Sequence, residues 1–293
     1  MNESYCNKVV ACIYPAVNMN PTFRSLHHAN MPAVVSPIPL TDVHIQDIPN
    51  RTQVLMDVEF LSRFTSMERP TICVYPTAPS QSHTDFIAKL FPHIEFFVFD
   101  ANMGQDLNPF LDIEYDPENP KMFESPATFV NEHGILADTR GFRKFQNLTI
   151  TSLSLTTRDA VRFKQRNTDQ KDLVMISRHY DISKQMDLHK LTGADWSFFA
   201  VSLAQVNRLY RGDLVIPLYT HANNSFVYQV VHREAPLEFY NFALMRAELS
   251  FVHSSMRATP KYDHDAETLI VYCYTQKFGY VQAEDLFNGL SLV

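Results

Sequence analysis

The chain has 293 residues, of which 45% are hydrophobic and 19% charged, and its formal net charge is −7. This supplies apolar material for a sizeable core and excludes wholesale disorder. The acidic balance argues against strong non-specific nucleic-acid binding, which depends on neutralising phosphates, but it leaves room for a local basic groove.

Glycine is scarce: 7 residues stand against 17 prolines, where average usage would give roughly 20 glycines. Glycine-dependent phosphate loops are therefore few. The four cysteines, Cys6, Cys12, Cys73 and Cys273, form no CxxC pair. They read as thiols in a reducing compartment, with Cys73 and Cys273 inside buried strands. The N-terminus lacks a basic and apolar signal, and no run reaches 18 apolar residues. A cytoplasmic protein with no membrane contact is expected.

In chain order, residues 1–50 are rich in proline and low in periodicity, and read as an extended N-terminal arm. Residues 51–64 carry Val54, Leu55, Val58, Leu61 and Phe64 at helical spacing. Residues 71–75 are a short apolar run that suits a buried strand, followed by a turn at 76–83. A helix over 84–91 follows, for which Ser82 or Thr84 is the candidate cap, then a strand over 94–99 ending in Asp100. Strand, helix and strand in this order predict a parallel βαβ unit, whose ligands bind at the carboxyl ends of the strands. A polar, proline-rich stretch runs to about residue 126, and residues 134–137 read as a further short strand ending in Asp138.

Residues 156–192 are polar and helical in pattern, with Arg158, Arg162 and Lys164 on a cationic face. Residues 196–203, 213–219 and 225–231 are predicted strands, the last two joined by a turn at Asn223 and Asn224. A helix opens at Pro236, residues 268–274 read as a strand, and residues 283–290 as a short helix. With no repeat and no composition break, the expectation is an arm over 1–50 and one α/β domain over 51–293.

The candidate chemistry lies in two acids at strand ends, Asp100 and Asp138, with the turn at 76–83 beside them. An acid after the second strand of a dinucleotide-type unit accepts hydrogen bonds from ribose hydroxyls. No HExxH, Walker or GxSxG motif occurs, and no histidine or cysteine spacing fits a metal, so no metal cofactor is expected.

Three segments carry a resemblance: Thr77-Ala-Pro-Ser-Gln-Ser-His83, Phe99-Asp100 and Ala137-Asp138-Thr-Arg140. In this order they resemble the S-adenosylmethionine-dependent methyltransferases. More narrowly, they are similar to the poxvirus cap ribose 2′-O-methyltransferases, which also serve as the small, stimulatory subunit of poly(A) polymerase. The resemblance covers about residues 51–290 and implies a Rossmann-like methyltransferase fold, a central mostly parallel sheet with helices on both faces. It implies S-adenosylmethionine against Tyr75, Thr77, Ala78, Pro79, Ser80, His83 and Asp100. It places Asp138 beside the transferred methyl group. Capped RNA would lie against Arg140, Arg143, Lys144, Arg158 and Arg162. A polymerase or capping protein is the implied partner, in the cytoplasm of a virus-infected host.

The chain departs from that pattern. Ser80 or Gln81 stands where the family has a loop glycine, and a Cβ there hinders close approach of a cofactor. The family's catalytic set resembles Lys-Asp-Lys-Glu. Its lysines would fall near Thr52 or Gln53 and within 196–203, and its glutamate within 225–229, where this chain has neither lysine nor glutamate. The expectation is a catalytically degenerate methyltransferase-like protein acting as an RNA-processing or polymerase-associated scaffold. The alternative is an active cap-specific ribose 2′-O-methyltransferase.

Overall fold

A computed structural model describes residues 49–77, 79–99, 141–145, 147–151, 155, 160–161, 163–164, 171–179, 181–203, 208–220, 226–253 and 261–279, with Leu286 and Leu290. Helix α1 (Pro49–Phe64) leads into strand β1 (Thr71–Tyr75), helix α2 (Gln81–Leu90) and strand β2 (Ile94–Phe99). Strands β3 (Gly141–Phe145), β4 (Leu148–Thr151) and β5 (Asp172–Ser177) follow, then α3 (Ile182–Thr192) and β6 (Trp196–Ser202). The C-terminal part holds β7 (Arg208–Tyr210), β8 (Gly212–Val215), β9 (Phe226–His232), β10 (Leu237–Phe239), α4 (Phe242–Phe251) and α5 (Lys261–Phe278).

Eight strands form one sheet in the order β3-β4-β2-β1-β5-β6-β9-β8, and β10 pairs with β7 in a separate ribbon. The run β4-β2-β1-β5-β6 is parallel. An antiparallel strand extends it on one side through β3 against β4, and on the other through β9 against β6. Strand β1 sits in the middle, with Thr71 paired to Ile94 of β2 and to Asp172 of β5. The order therefore reverses between β1 and β5, since the chain first builds outward through β2 and β4 and then returns to the other side of β1.

Central strands covered on both faces have no polar side to show, which is why β1 is buried at every residue. Cys73, Tyr75, Phe96, Val98, Val174 and Ile176 point to one face, where α1, α2 and α5 cover them. Val74, Phe97, Phe99, Leu173 and Met175 point to the other, against Phe163, Ile182 of α3, and Phe242, Met245 and Leu249 of α4. The protein is thus a mixed α/β fold with a mostly parallel central sheet and helices on both faces.

Polar ties fix the helices to the sheet. Asn147 Nδ2 donates to the carbonyls of Ala88, Phe91 and Ile94 at 2.9–3.1 Å, which serves the last turn of α2 and the start of β2 together. Tyr274 of α5 donates its hydroxyl to the Leu90 carbonyl at 2.6 Å. Arg51 Nε of α1 donates to Glu267 of α5 at 2.9 Å. Gly212 opens β8 where an added Cβ would lie 2.0 Å from the Val230 carbonyl oxygen, so only glycine fits this approach to β9.

Several expectations need correction. The polar stretch 156–192 contains the buried strand β5 as well as α3. Residues 268–274 lie within helix α5, and Cys273 is accordingly exposed, while Cys73 is buried in its strand. Pro236 precedes the short strand β10, and the helix starts only at Phe242, capped by the Asn241 side chain. Strand β8 ends at Val215, short of the expected Tyr219. Helix α2 begins at Gln81, three residues early, with Ser80 at its cap position and no capping bond from that side chain. The expected arm over 1–50 gives its last two residues to α1, which starts at Pro49; the rest of it, the strand over 134–137 and the Asn223-Asn224 turn lie outside the described residues. Among the described residues, no helix is long and apolar enough to cross a membrane.

Candidate functional site

The reversal between β1 and β5 is the place where open α/β sheets bind ligands, at the carboxyl ends of the two strands. Tyr75 is the last residue of β1, and Arg178 directly follows β5. Strand alternation continues the face of Val174 and Ile176 to Arg178. The guanidinium therefore emerges on the side covered by α1 and α2. His83 lies in the first turn of α2, and Asp57 lies on α1 among Val54, Leu55, Val58 and Leu61.

Three of these side chains converge on the carboxylate of the fourth, Asp57. Asp57 is fully buried. Its Oδ2 accepts from the Tyr75 hydroxyl at 3.0 Å and from His83 Nε2 at 2.7 Å. Its Oδ1 accepts from Arg178 Nη2. Burial works against the charged carboxylate, but the Arg178 guanidinium, then His83 and Tyr75, outweigh it and hold Asp57 below its ordinary range. Burial likewise opposes the Arg178 charge, and Asp57 reverses that, leaving the guanidinium raised and ionised. Burial lowers His83 despite its bond to Asp57, with Arg178 adding to the effect, so the ring is neutral. Since an ionised carboxylate only accepts, the neutral ring carries its proton on Nε2.

Burial, and next the Asp57 charge, also drive the Tyr75 phenol and the Cys73 thiol well above their ordinary values. Both stay protonated, so neither is a nucleophile. The cluster balances its charges, with one anion, one cation, a neutral imidazole and a phenol. It joins α1, α2, β1 and the end of β5, and leaves Arg178 Nε and Nη1 buried without a hydrogen-bond partner among the described residues.

The residues expected to hold S-adenosylmethionine divide into three groups. Tyr75 and His83 are 1% and 6% exposed, and the Tyr75 hydroxyl and His83 Nε2 bond to Asp57. Thr77 and Pro79 are half-buried, and Ser80 is exposed with its Oγ 3.2 Å from Ser82 Oγ. Ala78 and Asp100 lie outside the described residues, as do Asp138, Arg140, Arg158 and Arg162. Arg143 and Lys144 belong to β3, at the edge of the sheet, where only the backbone is described.

Sequence reasoning missed both members of the central ion pair. Asp57 was one polar position on a helical stripe, although an acid flanked by Met56 and Val58 on a buried face is itself a signal. Arg178 was hidden with β5. Thr52 is buried and donates to the Leu218 carbonyl at 2.5 Å. Among the described residues, no group of three His, Cys, Asp or Glu side chains is placed to hold a metal. Comparison with known proteins finds no matching family model and no matching curated protein.

Proposed function

We propose that this chain is a catalytically degenerate, methyltransferase-like protein that serves as a scaffold in viral RNA processing or beside a polymerase. One observation carries the reading: the carboxyl ends of β1 and β5, where a cofactor would have to sit, are joined by the buried Asp57–Arg178–His83–Tyr75 cluster. The strand order supports the fold part of the proposal. The five parallel strands run third, second, first, fourth, fifth, the doubly wound arrangement with its switch point between first and fourth. The missing loop glycine and the absence of lysine from 51–64 and 196–203 support the loss of activity.

In this reading α1 is a plug. In a working transferase the same helix would offer a lysine to the ribose hydroxyl; here it offers Asp57 inward, where Arg178 meets it. What remains useful is surface, held rigid by a cross-braced core.

Calorimetry with S-adenosylmethionine and with its demethylated product tests the proposal. The expected result is no heat up to millimolar ligand. Micromolar binding of either ligand would overturn the degenerate reading and restore the active cap methyltransferase.

A further inference from the structure

A second candidate site lies at the opposite end of the sheet, near the start of β6. A cavity of about 330 Å³ is lined by Lys164, His189, Lys190, Gly193, Tyr210 and Arg233. Three of these are cations and none is a carboxylate. The volume is at the small end of ligand sites, which run from about 300 Å³.

The lining is built. Gly193 closes α3 in the left-handed region, with φ 62°. A Cβ there would lie 3.1 Å from Lys164 Cγ, so the glycine lets the lysine stem lie against the turn. Arg233 Nη1 is held by Asp195 Oδ1 at 2.9 Å. That bond fixes the guanidinium through one of its five N–H donors and leaves others for a ligand. His189 is 2% exposed, and its Nδ1 lies 2.7 Å from Ser197 Oγ, while its ring packs 5.1 Å from Tyr210. An anchored guanidinium with spare donors, beside two lysines around a small opening, matches a phosphate group.

The surface continues along the β7–β10 ribbon. Tyr210 pairs with Leu237, and Arg208 pairs with Phe239. Alternation puts these four on one face, while Leu209 faces the core. Phe239 is 77% exposed, and the Arg208 guanidinium lies 5.3 Å from its ring centroid. Two residues of strand separate Leu237 from Phe239, about 7 Å, which is within reach of a ring attached to a phosphate in the cavity. An exposed aromatic with a cation on it is a platform for a nucleobase.

We propose that the cavity binds the phosphate of a nucleotide unit, with the base against Phe239. The site is separate from the Asp57 cluster and does not depend on whether S-adenosylmethionine binds.

The test is calorimetry with inorganic phosphate, adenosine monophosphate and a single-stranded oligoadenylate, each with the wild-type chain and two variants. The variants are Lys164→Gln/Lys190→Gln, which keeps the stems, and Phe239→Ala, which removes an exposed ring. The monophosphate should bind more tightly than inorganic phosphate. The double lysine variant should weaken every ligand at least tenfold. Phe239→Ala should weaken the nucleotides about fivefold or more and leave inorganic phosphate unchanged. An oligonucleotide that outbinds the monomer, with a salt slope that falls by about 1.4 in the double variant, identifies a polynucleotide as the source; equal affinities identify a free nucleotide. Two results overturn the proposal: no heat from either nucleotide at millimolar concentration, or wild-type affinity in the double lysine variant.

Discussion

Replacing Asp57 by asparagine removes one charge and keeps the shape, which makes it the sharpest perturbation of the central cluster. The Arg178 guanidinium, 12% exposed at its side chain, would be left without its counter-charge. The amide would also present donors where the carboxylate accepts from Tyr75, His83 and Arg178. Breaking a buried pair by removing one partner costs about 3–5 kcal/mol. Native domains have only about 5–15 kcal/mol to lose. With an m-value of about 2–3 kcal/mol/M, the urea midpoint should fall by about 1–2.5 M. Arg178→Met should also destabilise, by orphaning Asp57. The double variant Asp57→Asn/Arg178→Met should be less damaged than the sum of the two, with a coupling of at least about 1 kcal/mol. Chemical denaturation of the four chains measures the cycle. A single variant within about 1 kcal/mol of wild type, or additive effects, would refute the claim that this ion pair braces α1 to the sheet.

Acid should weaken the fold well above the carboxylate range. The folded pKa of His83 is lowered, and burial, with His232 adding, pushes His189 down to about 4. For both, the unfolded chain binds the proton first, so their stability is fully present above about pH 6.5 and is lost as pH falls. The His189 share is about 3 kcal/mol, and Asp57, whose folded pKa is also lowered, adds its loss below about pH 4. Urea midpoints between pH 7 and pH 4.5 should drop steadily, and a flat profile would contradict these burial effects. Gly212→Ala should cost about 3 kcal/mol or more, because strand β8 must move off the Val230 carbonyl to admit the Cβ. A thermal melt within about 2 °C of wild type would show that β8 is free to shift.

The parts of the fold legible in the sequence are those where a short apolar run is bounded by turn residues. Strand β1 between Pro70 and Pro76 is such a case, and so is β2 before Asp100. Strand β5 was illegible because its apolar core, Leu173 to Ile176, is only four residues long and lies between charged neighbours. A window long enough to detect a helix averages it away. Helix α5 failed in the opposite sense: Leu269 to Tyr274 is a continuous run of strand-forming residues. The buried set Ala266, Ile270, Tyr274 and Phe278, spaced by four, was the better guide. At the site, Tyr75 and His83 were singled out as cofactor contacts, and in the structure both bond to Asp57. Their partner, Asp57, precedes them on α1, and no local pattern announces a contact between a helix and a strand end.

The central position of β1 has a consequence for synthesis. Its pairing with β2 joins residues 23 apart in the chain, Thr71 with Ile94, whereas its other edge waits for Asp172. About 100 residues must leave the ribosome in between, which at 5–20 residues per second takes roughly 5–20 s. For that time the innermost strand of the finished sheet is an open edge, apolar on both faces. Whatever shields it, whether transient pairing or a chaperone, governs how much of the chain reaches the native sheet.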